Sequence, residues 1–502
     1  KRDCTMPAFS PNRRDTLAIF ATCAAPWIAH AQTRRDSVLI ALSLEPNSLD
    51  PTSAPASANA EVVHYNILQG LTKIEQDGKT SPLLAENWHT SADQQVWRFS
   101  LRRNVQFHDG SPFDASTVRW CFERAQQANS GNKGQNALFD NVSAIETPDP
   151  HTVVLQLHHP DPHLLFRLGE SYAVILHPKT AATAHSQPIG TGPYRFERWQ
   201  RGQSIHLERF TGYWGPAPAL KRASFHFLDA TQLEQKDFAS NSIDLFFNFA
   251  SPLLEPLRTQ GAYQVLIGSS SSKGMLALNH RLPLFQDVRV RQAITHAIDR
   301  EQFIQAVLEG HGTAIGSHFA PSEPGYLRLA SAYPYDPERA RQLLKEAGIK
   351  QPLQLPLSFP PTPYGRNGGP LIAKNLAAIG IQVEVQPLTW PQWLNGPFKG
   401  DFTMTLINHV EPLDYAIYAN PDYYFGYNNP AYRNLLDRYQ KGRTMRERQR
   451  LLTEIQRFLA KDAANIWIFN PSIGTVARTG LQGVWVNYPI FAHDIAAMRW
   501  TK

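Results

Sequence analysis

The positions of apolar and polar residues follow two periods that alternate along most of the chain. Apolar side chains in every second position predict strands with one buried face, at residues 97–101, 153–157 and 381–385. Apolar side chains three and four positions apart predict amphipathic helices, at residues 58–71, 118–125 (capped by Ser116), 290–303, 372–379 and 451–459. The polar run at residues 129–136 predicts a surface loop. Because the two kinds of element alternate, the sequence predicts an α/β fold.

One strand, at the start of residues 400–427, ends in a polar loop that is followed by aromatic residues. Phe402, Met404 and Leu406 form its apolar face. The loop and the segment after it contain amide, imidazole, carboxylate and phenol groups: Asn408, His409, Glu411, Asp414, Tyr415, Tyr418, Tyr423, Tyr424 and Tyr427. A polar strand end flanked by aromatics is typical of a surface that recognises a small molecule. A strand followed by a tyrosine-rich packing segment is the alternative, and the pattern alone fits both.

Length and charge narrow the class of protein. A chain of 502 residues exceeds what one core usually serves, so we expect two or three domains. The formal net charge is +6, but only 18% of the residues are charged and the basic ones are scattered. Since no lysine- or arginine-rich run occurs, a nucleic-acid partner is not expected.

The first 31 residues have the pattern of a secretory signal peptide. An arginine pair at 13–14 precedes a short apolar run at 17–28, and residues 29–31 match an A-x-A cleavage site. We therefore expect residues 1–31 to be removed on export to the periplasm, and the arginine pair indicates the twin-arginine route. The apolar run is too short to cross a bilayer, so a membrane-spanning helix is not expected. A buried apolar helix at the N-terminus is the alternative to a signal peptide.

Motifs that would mark an enzyme or a metal site are missing from the sequence. Removal of residues 1–31 leaves Cys121, which lies on the apolar face of a predicted helix, where a buried, unreactive thiol is expected. No phosphate-binding loop, nucleophile elbow or HExxH motif occurs. His158, His159 and His163 stand beside prolines at a predicted turn, so we expect solvated side chains rather than metal ligands. We expect no metal, no cofactor and no enzymatic activity, with an exported hydrolase as the alternative from another class.

Several segments resemble, in the expected order, the family 5 extracellular solute-binding proteins, which are the peptide- and nickel-binding components of bacterial ABC importers. The segments are 84–88 (LAENW), 97–102 (WRFSLR), 107–110 (FHDG), 113–115 (FDA), 190–194 (GTGPY), 213–215 (YWG), 287–293 (DVRVRQA), 297–300 (AIDR) and 335–337 (YDP) with 343–348 (LLKEAG). The resemblance covers nearly the whole mature chain. Most of these residues also have a structural explanation, since they form turns, caps and buried helix faces. Asp336 and Pro337, for example, have the pattern of an N-cap and a first helical residue.

The resemblance implies a two-lobed periplasmic binding protein fold of the large peptide-binding type, with a hinge between the lobes. Lobe I is expected to be discontinuous and to carry an extra subdomain. The expected segments are 32–75, 190–274 and 480–502 for lobe I, 76–189 for the extra subdomain and 275–479 for lobe II. A monomer is expected that binds a peptide or peptide-like solute and delivers it to an ABC permease in the inner membrane. A metal-chelate or opine-like solute is the alternative ligand, and a chaperone-like binder of unfolded chains is a further possibility.

The ligand-facing residues that the resemblance implies lie in three places. They are Ala56, Ser57 and Ala58 after the first strand, Trp390 and Trp393, which either flank the ligand or pack, and Asn408, His409, Glu411, Asp414 and Tyr415.

The sequence departs from the peptide-binding relatives at one position of the polar loop. Those relatives typically carry an aspartate there that pairs with the α-ammonium of the ligand, whereas this chain has Asn408, His409 and Val410. A buried ammonium without a carboxylate partner is unfavourable. Either Glu411 or Asp414 takes that role, or the ligand has no free amine, and we favour the second interpretation.

Overall fold

The computed structural model describes residues 36–54, 56–127, 133–228, 238, 243–247 and 254–501, so the predicted signal peptide 1–31 lies outside the described residues. The strands within these ranges are β1 (Ser37–Leu42), β2 (Thr72–Ile74), β3 (Thr80–Pro82), β4 (Ala85–Thr90), β5 (Val96–Leu101), β6 (Val142–Asp149), β7 (Thr152–Leu157), β8 (Tyr194–Gln200), β9 (Ser204–Arg209), β10 (Arg222–Phe227), β11 (Leu245–Phe246), β12 (Tyr263–Ser269), β13 (Lys273–Leu278), β14 (Gly312–Ala314), β15 (Leu353–Phe359), β16 (Ile381–Pro387), β17 (Met404–His409), β18 (Ile466–Arg478), β19 (Leu481–Gln482) and β20 (Arg499–Trp500).

Helices lie between these strands along the chain. They are α1 (Ser57–Val63), α2 (Ala115–Gln127), α3 (Lys133–Phe139), α4 (Leu164–Arg167), α5 (Leu254–Thr259), α6 (Pro283–Gln286), α7 (Val288–Ala297), α8 (Arg300–Val307), α9 (Pro337–Glu346), α10 (Pro363–Ala377), α11 (Trp390–Asn395), α12 (Pro430–Gln440) and α13 (Met445–Asp462). The part of the chain that the structure describes has no helix long and apolar enough to span a bilayer.

One long strand, β18, joins the two halves of the main sheet. The sheet order is β16-β15-β17-β13-β18-β11-β1-β10-β9-β8, and β12 and β14 also pair with β18. The first residues of β18 pair with β13, and the later ones pair with β11 and β12. We refer to the half built on β1 and β8–β12 as lobe I and to the half built on β13–β17 as lobe II. The two lobes are therefore connected through a continuous strand at the level of residues 469–473.

Lobe II is a sheet covered on both faces. Every residue of β13 is buried, with Leu276 and Leu278 in one apolar cluster and Met275 and Ala277 in the cluster on the opposite face. A strand that is buried on both faces has a nearly continuous apolar sequence, because neither face is exposed to water. The tyrosines at 415–427 belong to the second of these clusters, so most of the aromatic segment packs.

A separate four-stranded sheet, in the order β4-β5-β7-β6, is covered by α2. Trp97, Phe99 and Leu101 are buried and alternate with less buried residues, so the strand predicted at 97–101 is confirmed. This sheet lies inside the predicted subdomain 76–189, and the exact segment boundaries of the lobes and subdomain stay a prediction. We refer to it as the subdomain sheet.

Two predicted helices are shorter than expected because the tertiary structure interrupts them. The helix predicted at 58–71 ends at Val63, since His64 is extended and Tyr65 has a positive φ of 65°. The chain at Gly192 then hydrogen-bonds to the Ile67 carbonyl, which holds the following turn. The helix predicted at 290–303 is two helices, α7 and α8, and Ile298 between them is extended.

Two further predictions near α2 and α3 need correction. The α2 helix begins at Ala115, and its capping side chain is Asp114, which accepts a hydrogen bond from the Thr117 amide at 3.1 Å, rather than Ser116. Residues 133–139 form α3, so the loop expected at 129–136 is helical in its last four positions. Cys121 is buried and free, as predicted, and burial raises its pKa to about 12.

Candidate functional site

A cavity of about 230 Å³ lies where the two lobes meet. Its described lining comes from both lobes and from the segments between them: Phe247 after β11; Ser270, Ser271 and Ser272 between β12 and β13; Asn408 and Val410 around the end of β17; Pro471, Ser472 and Ile473 in β18; and Tyr488, Pro489, Ile490 and Phe491. We refer to it as the interlobe cavity. Two larger cavities of about 610 Å³ are lined by lobe II residues alone, so they do not bring the lobes together.

Strand register places Asn408 at the interlobe cavity. The end of β17 pairs with the start of β13, so that Asn408 lies opposite Gly274 and His409 opposite Lys273. Gly274 in turn lies opposite Phe469 of β18, the strand that continues into lobe I. The polar end of β17 therefore meets the crossing between the lobes.

Two polar atoms at the cavity have no hydrogen-bond partner among the described residues. They are Asn408 Oδ1, contributed by lobe II, and the Tyr488 hydroxyl, contributed by lobe I. Thr475 Oγ1 and both ring nitrogens of His493 are also buried without a partner of good hydrogen-bond geometry. Thr475 nevertheless lies close enough to the Tyr488 hydroxyl to oppose the rise that burial causes in the pKa of Tyr488. The His493 ring contacts Phe247 and Tyr488. An unsatisfied buried polar atom costs about 1–3 kcal/mol. A polar solute between Asn408 and Tyr488 would relieve that cost.

A buried cluster of charged and imidazole groups lies behind the end of β17. Lys273 Nζ is 3.0 Å from Asp414 Oδ1 and 3.2 Å from Glu323 Oε1. His318 Nε2 is 2.8 Å from Asp414 Oδ1, and His409 Nδ1 is 3.4 Å from Asp414 Oδ2. We refer to these five residues as the lysine cluster. It links β13, β17 and the loop after β17.

The pKa values in the lysine cluster follow from burial and from the close partners. Burial alone would raise the pKa of Asp414, but His318 and Lys273 hold it well below its usual range. Burial tends to lower the pKa of Lys273, yet Asp414 and Glu323 raise it overall. Burial lowers the pKa of His318 to about 4. The cluster therefore contains an ionised lysine–aspartate pair and a neutral His318.

His318, His409 and Asp414 also have the composition of a metal site, with one ligand atom from each within 4.8 Å of the others. The Lys273 ammonium, however, already lies 3.0 Å from Asp414 Oδ1 and supplies the positive charge that a cation would bring. A divalent ion at the same oxygen would face direct repulsion from that ammonium. The arrangement fits a structural ion pair that holds the loop after β17.

The other sequence-predicted site residues lie at different depths. Trp393 is buried and its indole N–H donates to Thr405 Oγ1 at 3.0 Å, whereas Trp390 is 44% exposed. Ala56 and Glu411 are exposed, Ser57 is half-buried and Ala58 is buried. Tyr415 is buried and faces the subdomain. Of the predicted residues, the structure brings Asn408 to the interlobe cavity and joins His409 and Asp414 in the lysine cluster.

His163, expected to be solvated, instead connects the subdomain to lobe II. Its Nε2 lies in hydrogen-bond contact with the Tyr415 hydroxyl and at 3.2 Å from the Tyr439 hydroxyl. Burial lowers the pKa of His163 to about 4. His158 and His159 are exposed, in agreement with the prediction. A turn signal in the sequence could not show that one of the three histidines faces another part of the fold.

Sequence reasoning missed the lobe I side of the cavity. Phe247 and Tyr488 are far apart in the sequence, and each stands in a segment without a periodic pattern or a motif. The pairing of β11 with β18 brings Phe247 to the cavity. Tyr488 is placed there by a bridge to Ser270 and by its amide, which donates to the Ser269 carbonyl at 2.9 Å. The one available signal is the aromatic and proline content of residues 485–491, which does not distinguish a binding surface from packing.

Comparisons with known proteins agree with this geometry. The family model of the bacterial extracellular solute-binding proteins, family 5 (middle), matches residues 79–431. The dipeptide-binding protein of Escherichia coli (strain K12) is 26% identical over an aligned length of 351, and the alignment covers 64% of this chain and 65% of that protein, just under two thirds of its length. Probable di/tripeptide-binding protein 5 of Pseudomonas aeruginosa is 24% identical over an aligned length of 513, and the alignment covers 94% of this chain and 97% of that protein.

Among solved structures, the periplasmic binding protein DppA from Helicobacter pylori in complex with the peptide STSA superposes with a TM-score of 0.77. It is 22% identical and covers 94% of this chain and 100% of its own. At this identity the likeness shows the fold, and it confirms the predicted two-lobed periplasmic binding protein architecture. The family model spans well over half of the chain. The chain therefore belongs to the bacterial extracellular solute-binding proteins of family 5.

Proposed function

We propose that the protein is the solute-binding component of a bacterial ABC importer and captures a small peptide or peptide-like solute between its lobes. The observation that supports this most directly is the pair Asn408 Oδ1 and Tyr488 hydroxyl. Both line the interlobe cavity and neither has a hydrogen-bond partner among the described residues. A solute that bonds to both would connect the lobes and favour their closure, because its contacts exist only when the lobes are together.

The size of the cavity supports a small solute. Its volume of about 230 Å³ lies below the common range of roughly 300–1,000 Å³ for ligand pockets. Serine residues 270–272, Asn408 and Tyr488 offer neutral donors and acceptors, while Phe247, Ile473 and Ile490 offer apolar surface. This mixture suits a solute with amide groups and small side chains.

The remaining expected properties follow from the same proposal. An importer's binding protein works in the periplasm as a monomer and hands its solute to a membrane permease without changing it. Both relatives described above are named for binding di- or tripeptides. Residues 1–31 would direct export, with the arginine pair at 13–14 as the signal for the twin-arginine route.

We further propose that the site residues predicted from the sequence have three different roles. Asn408 contacts the solute directly. His409 and Asp414 act through the lysine cluster by holding the loop after β17 in place. Ala56, Ser57, Ala58, Trp390, Trp393, Glu411 and Tyr415 are proposed to line the wider cleft around the cavity.

The test begins with the natural solute, released from the purified protein by denaturation and identified by mass spectrometry. Its affinity for the wild type, Asn408→Leu and Tyr488→Phe is then measured by calorimetry. We expect each variant to bind roughly 10- to 100-fold more weakly, since each loses one hydrogen bond in a desolvated site. Asn87→Leu, at an exposed position of β4, is the matched control and should bind normally.

Two results would overturn the proposal. One is unchanged affinity in both Asn408→Leu and Tyr488→Phe. The other is chemical conversion of the released solute by the purified protein. Small-angle scattering with and without the solute provides a second measurement, and a bound state that is no more compact than the free state would argue against closure between lobes.

A further inference from the structure

One of the two larger cavities of lobe II, of about 610 Å³, has a lining that differs entirely from that of the interlobe cavity. It is lined by residues 298–301 at the junction of α7 and α8, by residues 313–314 of β14 and by part of the segment 326–335. We refer to it as the Arg300 cavity. Its volume lies within the range of roughly 300–1,000 Å³ that is common for small-molecule sites.

Arg300 is a buried cation without a carboxylate partner. It is 7% exposed, and its guanidinium donates to the carbonyls of Trp467 at 2.9 Å and of Tyr333 at 3.0 Å. The buried Arg291 nearby pairs with Asp462 at 3.0 Å, whereas no described carboxylate forms an ion pair with Arg300. Burial accordingly lowers the pKa of Arg300 to about 10. A negatively charged partner would offset the unfavourable burial of this charge.

Two hydrogen-bond donors at the cavity have no acceptor among the described residues. The second terminal nitrogen of Arg300 makes no hydrogen bond and is not sealed from solvent. The Tyr326 hydroxyl is buried without a partner, and Tyr326 also lines the cavity. The exposed Arg328 lies close enough to Tyr326 to oppose the rise that burial causes in the pKa of that tyrosine. These three side chains suit an oxygen acceptor that carries negative charge.

Two acidic residues also line the cavity, but neither neutralises Arg300. Asp299 Oδ1 accepts a hydrogen bond from the Gln302 amide at 2.9 Å and thereby caps α8. Glu301 is exposed in the first turn of α8. Because these two carboxylates repel anions, the cavity suits a single negative charge better than a multiply charged anion.

Aromatic side chains form much of the remaining lining. Tyr326, Tyr333 and Tyr335 line the cavity together with Pro334. The Tyr333 hydroxyl donates to the Lys461 carbonyl at 2.7 Å, which fixes the position of that ring. Rings of this kind offer flat apolar surface to a ligand.

We propose that the Arg300 cavity is a second ligand site of the protein, which binds an organic carboxylate with a flat apolar body and uses Arg300 as the counter-charge. This site is separate from the interlobe cavity and does not depend on the proposed solute-binding function. Arg300 already connects α8 to the segment 326–335 through the Tyr333 carbonyl. A carboxylate bound to Arg300 therefore stabilises lobe II as well.

Three probes separate the charge of the ligand from its apolar body. They are benzoate, benzamide, which has the same shape without the charge, and inorganic phosphate, which has charge without the ring. We expect the purified wild type to bind benzoate at least 10-fold more tightly than benzamide in ligand-observed NMR titrations, since hydrogen bonds between ionised groups are stronger than neutral ones. Phosphate should bind more weakly than benzoate. Benzoate, but not benzamide, should raise the thermal unfolding temperature.

Four variants assign the binding to the cavity. Arg300→Gln should abolish the preference for benzoate while leaving affinity for benzamide within about 2-fold. Tyr326→Phe and the exposed Arg328→Gln should each weaken benzoate binding roughly 3- to 10-fold. Arg366→Gln, at an exposed position of α10 outside the cavity lining, is the matched control and should bind benzoate normally. Affinity for the natural solute should be unchanged in Arg328→Gln.

Thermal unfolding first establishes which variants are folded, because Arg300 also holds two backbone carbonyls. If Arg300→Gln does not fold, Tyr326→Phe and Arg328→Gln decide, and unchanged benzoate affinity in both overturns the proposal. It is also wrong if the wild type does not bind benzoate, binds benzamide as tightly, or binds phosphate more tightly than benzoate. Competition between benzoate and the natural solute would place the two in one site and would likewise overturn it.

Discussion

Lys273 Nζ lies 3.0 Å from Asp414 Oδ1, and the lysine side chain is completely buried. The ammonium also contacts Glu323 at 3.2 Å and donates to the Glu411 carbonyl. Lys273 is the first residue of β13, next to the crossing between the lobes, and Asp414 belongs to the loop that follows β17. This one ion pair therefore connects the hinge region to the loop that follows β17, the strand that carries Asn408.

Removal of the lysine should destabilise the protein strongly. Lys273→Met would leave Asp414 and Glu323 buried without their cation, and the loss of one member of a buried pair costs about 3–5 kcal/mol. The free energy of unfolding, from urea titration at pH 7, is the measurement. Lys441→Met removes an exposed ion pair with Asp437 and should change stability little. Equal stability of the two variants would show that the lysine cluster does not hold lobe II together.

Sequence reasoning predicts the local motifs of the fold and misses the features that distant segments determine. Asp336 and Pro337 were predicted as a helix cap and first residue, and Asp336 does accept the Arg339 amide, because that motif is local. The breaks at Tyr65 and Ile298 were missed, since distant segments determine the backbone there.

The candidate site likewise contains residues that the sequence predicts and residues that only the tertiary structure brings together. The family resemblance implied Asn408, at the end of a strand that the local pattern predicts, and in the structure this residue lines the interlobe cavity. Tyr488 could not be predicted, because it reaches the cavity through a bridge to Ser270, in a distant part of the chain. The pairing of Asp414 with Lys273, rather than with a ligand, depends on the register of β13 against β17 and is likewise absent from any local pattern.

Buried neutral histidines should make the protein sensitive to acid. Burial lowers the folded-state pKa of His493 from 6.5 to about 4, and neither ring nitrogen has a partner among the described residues. A depressed histidine pKa leaves stability intact above about pH 6.5, the unfolded value, and the stability is lost as the pH falls toward 4. At pH 5 this single group should account for a loss of about 2 kcal/mol.

His493→Phe tests this account, since its ring neighbours are Phe225, Phe247 and Tyr488. The variant should be at least as stable as the wild type at pH 7 and more stable at pH 5, by urea titration at both values. His158→Phe, at an exposed position, is the control and should keep the wild-type pH dependence. A pH dependence unchanged in His493→Phe would refute the assignment.

The contact of His163 with Tyr415 and Tyr439 should favour the closed arrangement of the subdomain and lobe II. His163→Ala removes both contacts, each a neutral hydrogen bond worth about 1 kcal/mol, so solute affinity should fall roughly 5-fold or more. His159→Ala alters an exposed histidine nearby and should have no effect. A spin-label distance between the subdomain and lobe II should show a larger open population in His163→Ala. No change in either affinity or that distance would contradict the role.

The sequence predicts that Trp390 and Trp393 either flank the ligand or pack in the core. Because the two side chains differ in burial, substituting each one in turn tests the two roles. Trp393 is 4% exposed, contacts Phe398 and Tyr424, and donates to Thr405, so Trp393→Ala should lower the free energy of unfolding by about 3–5 kcal/mol. Trp390 is 44% exposed, so Trp390→Ala should leave stability nearly unchanged.

Solute affinity then separates the two roles, because the loss of a residue that flanks the ligand weakens binding without weakening the fold. We expect Trp390→Ala to reduce affinity with normal stability, measured by calorimetry and urea titration on the same preparations. Normal affinity in Trp390→Ala would show that Trp390 does not flank the solute.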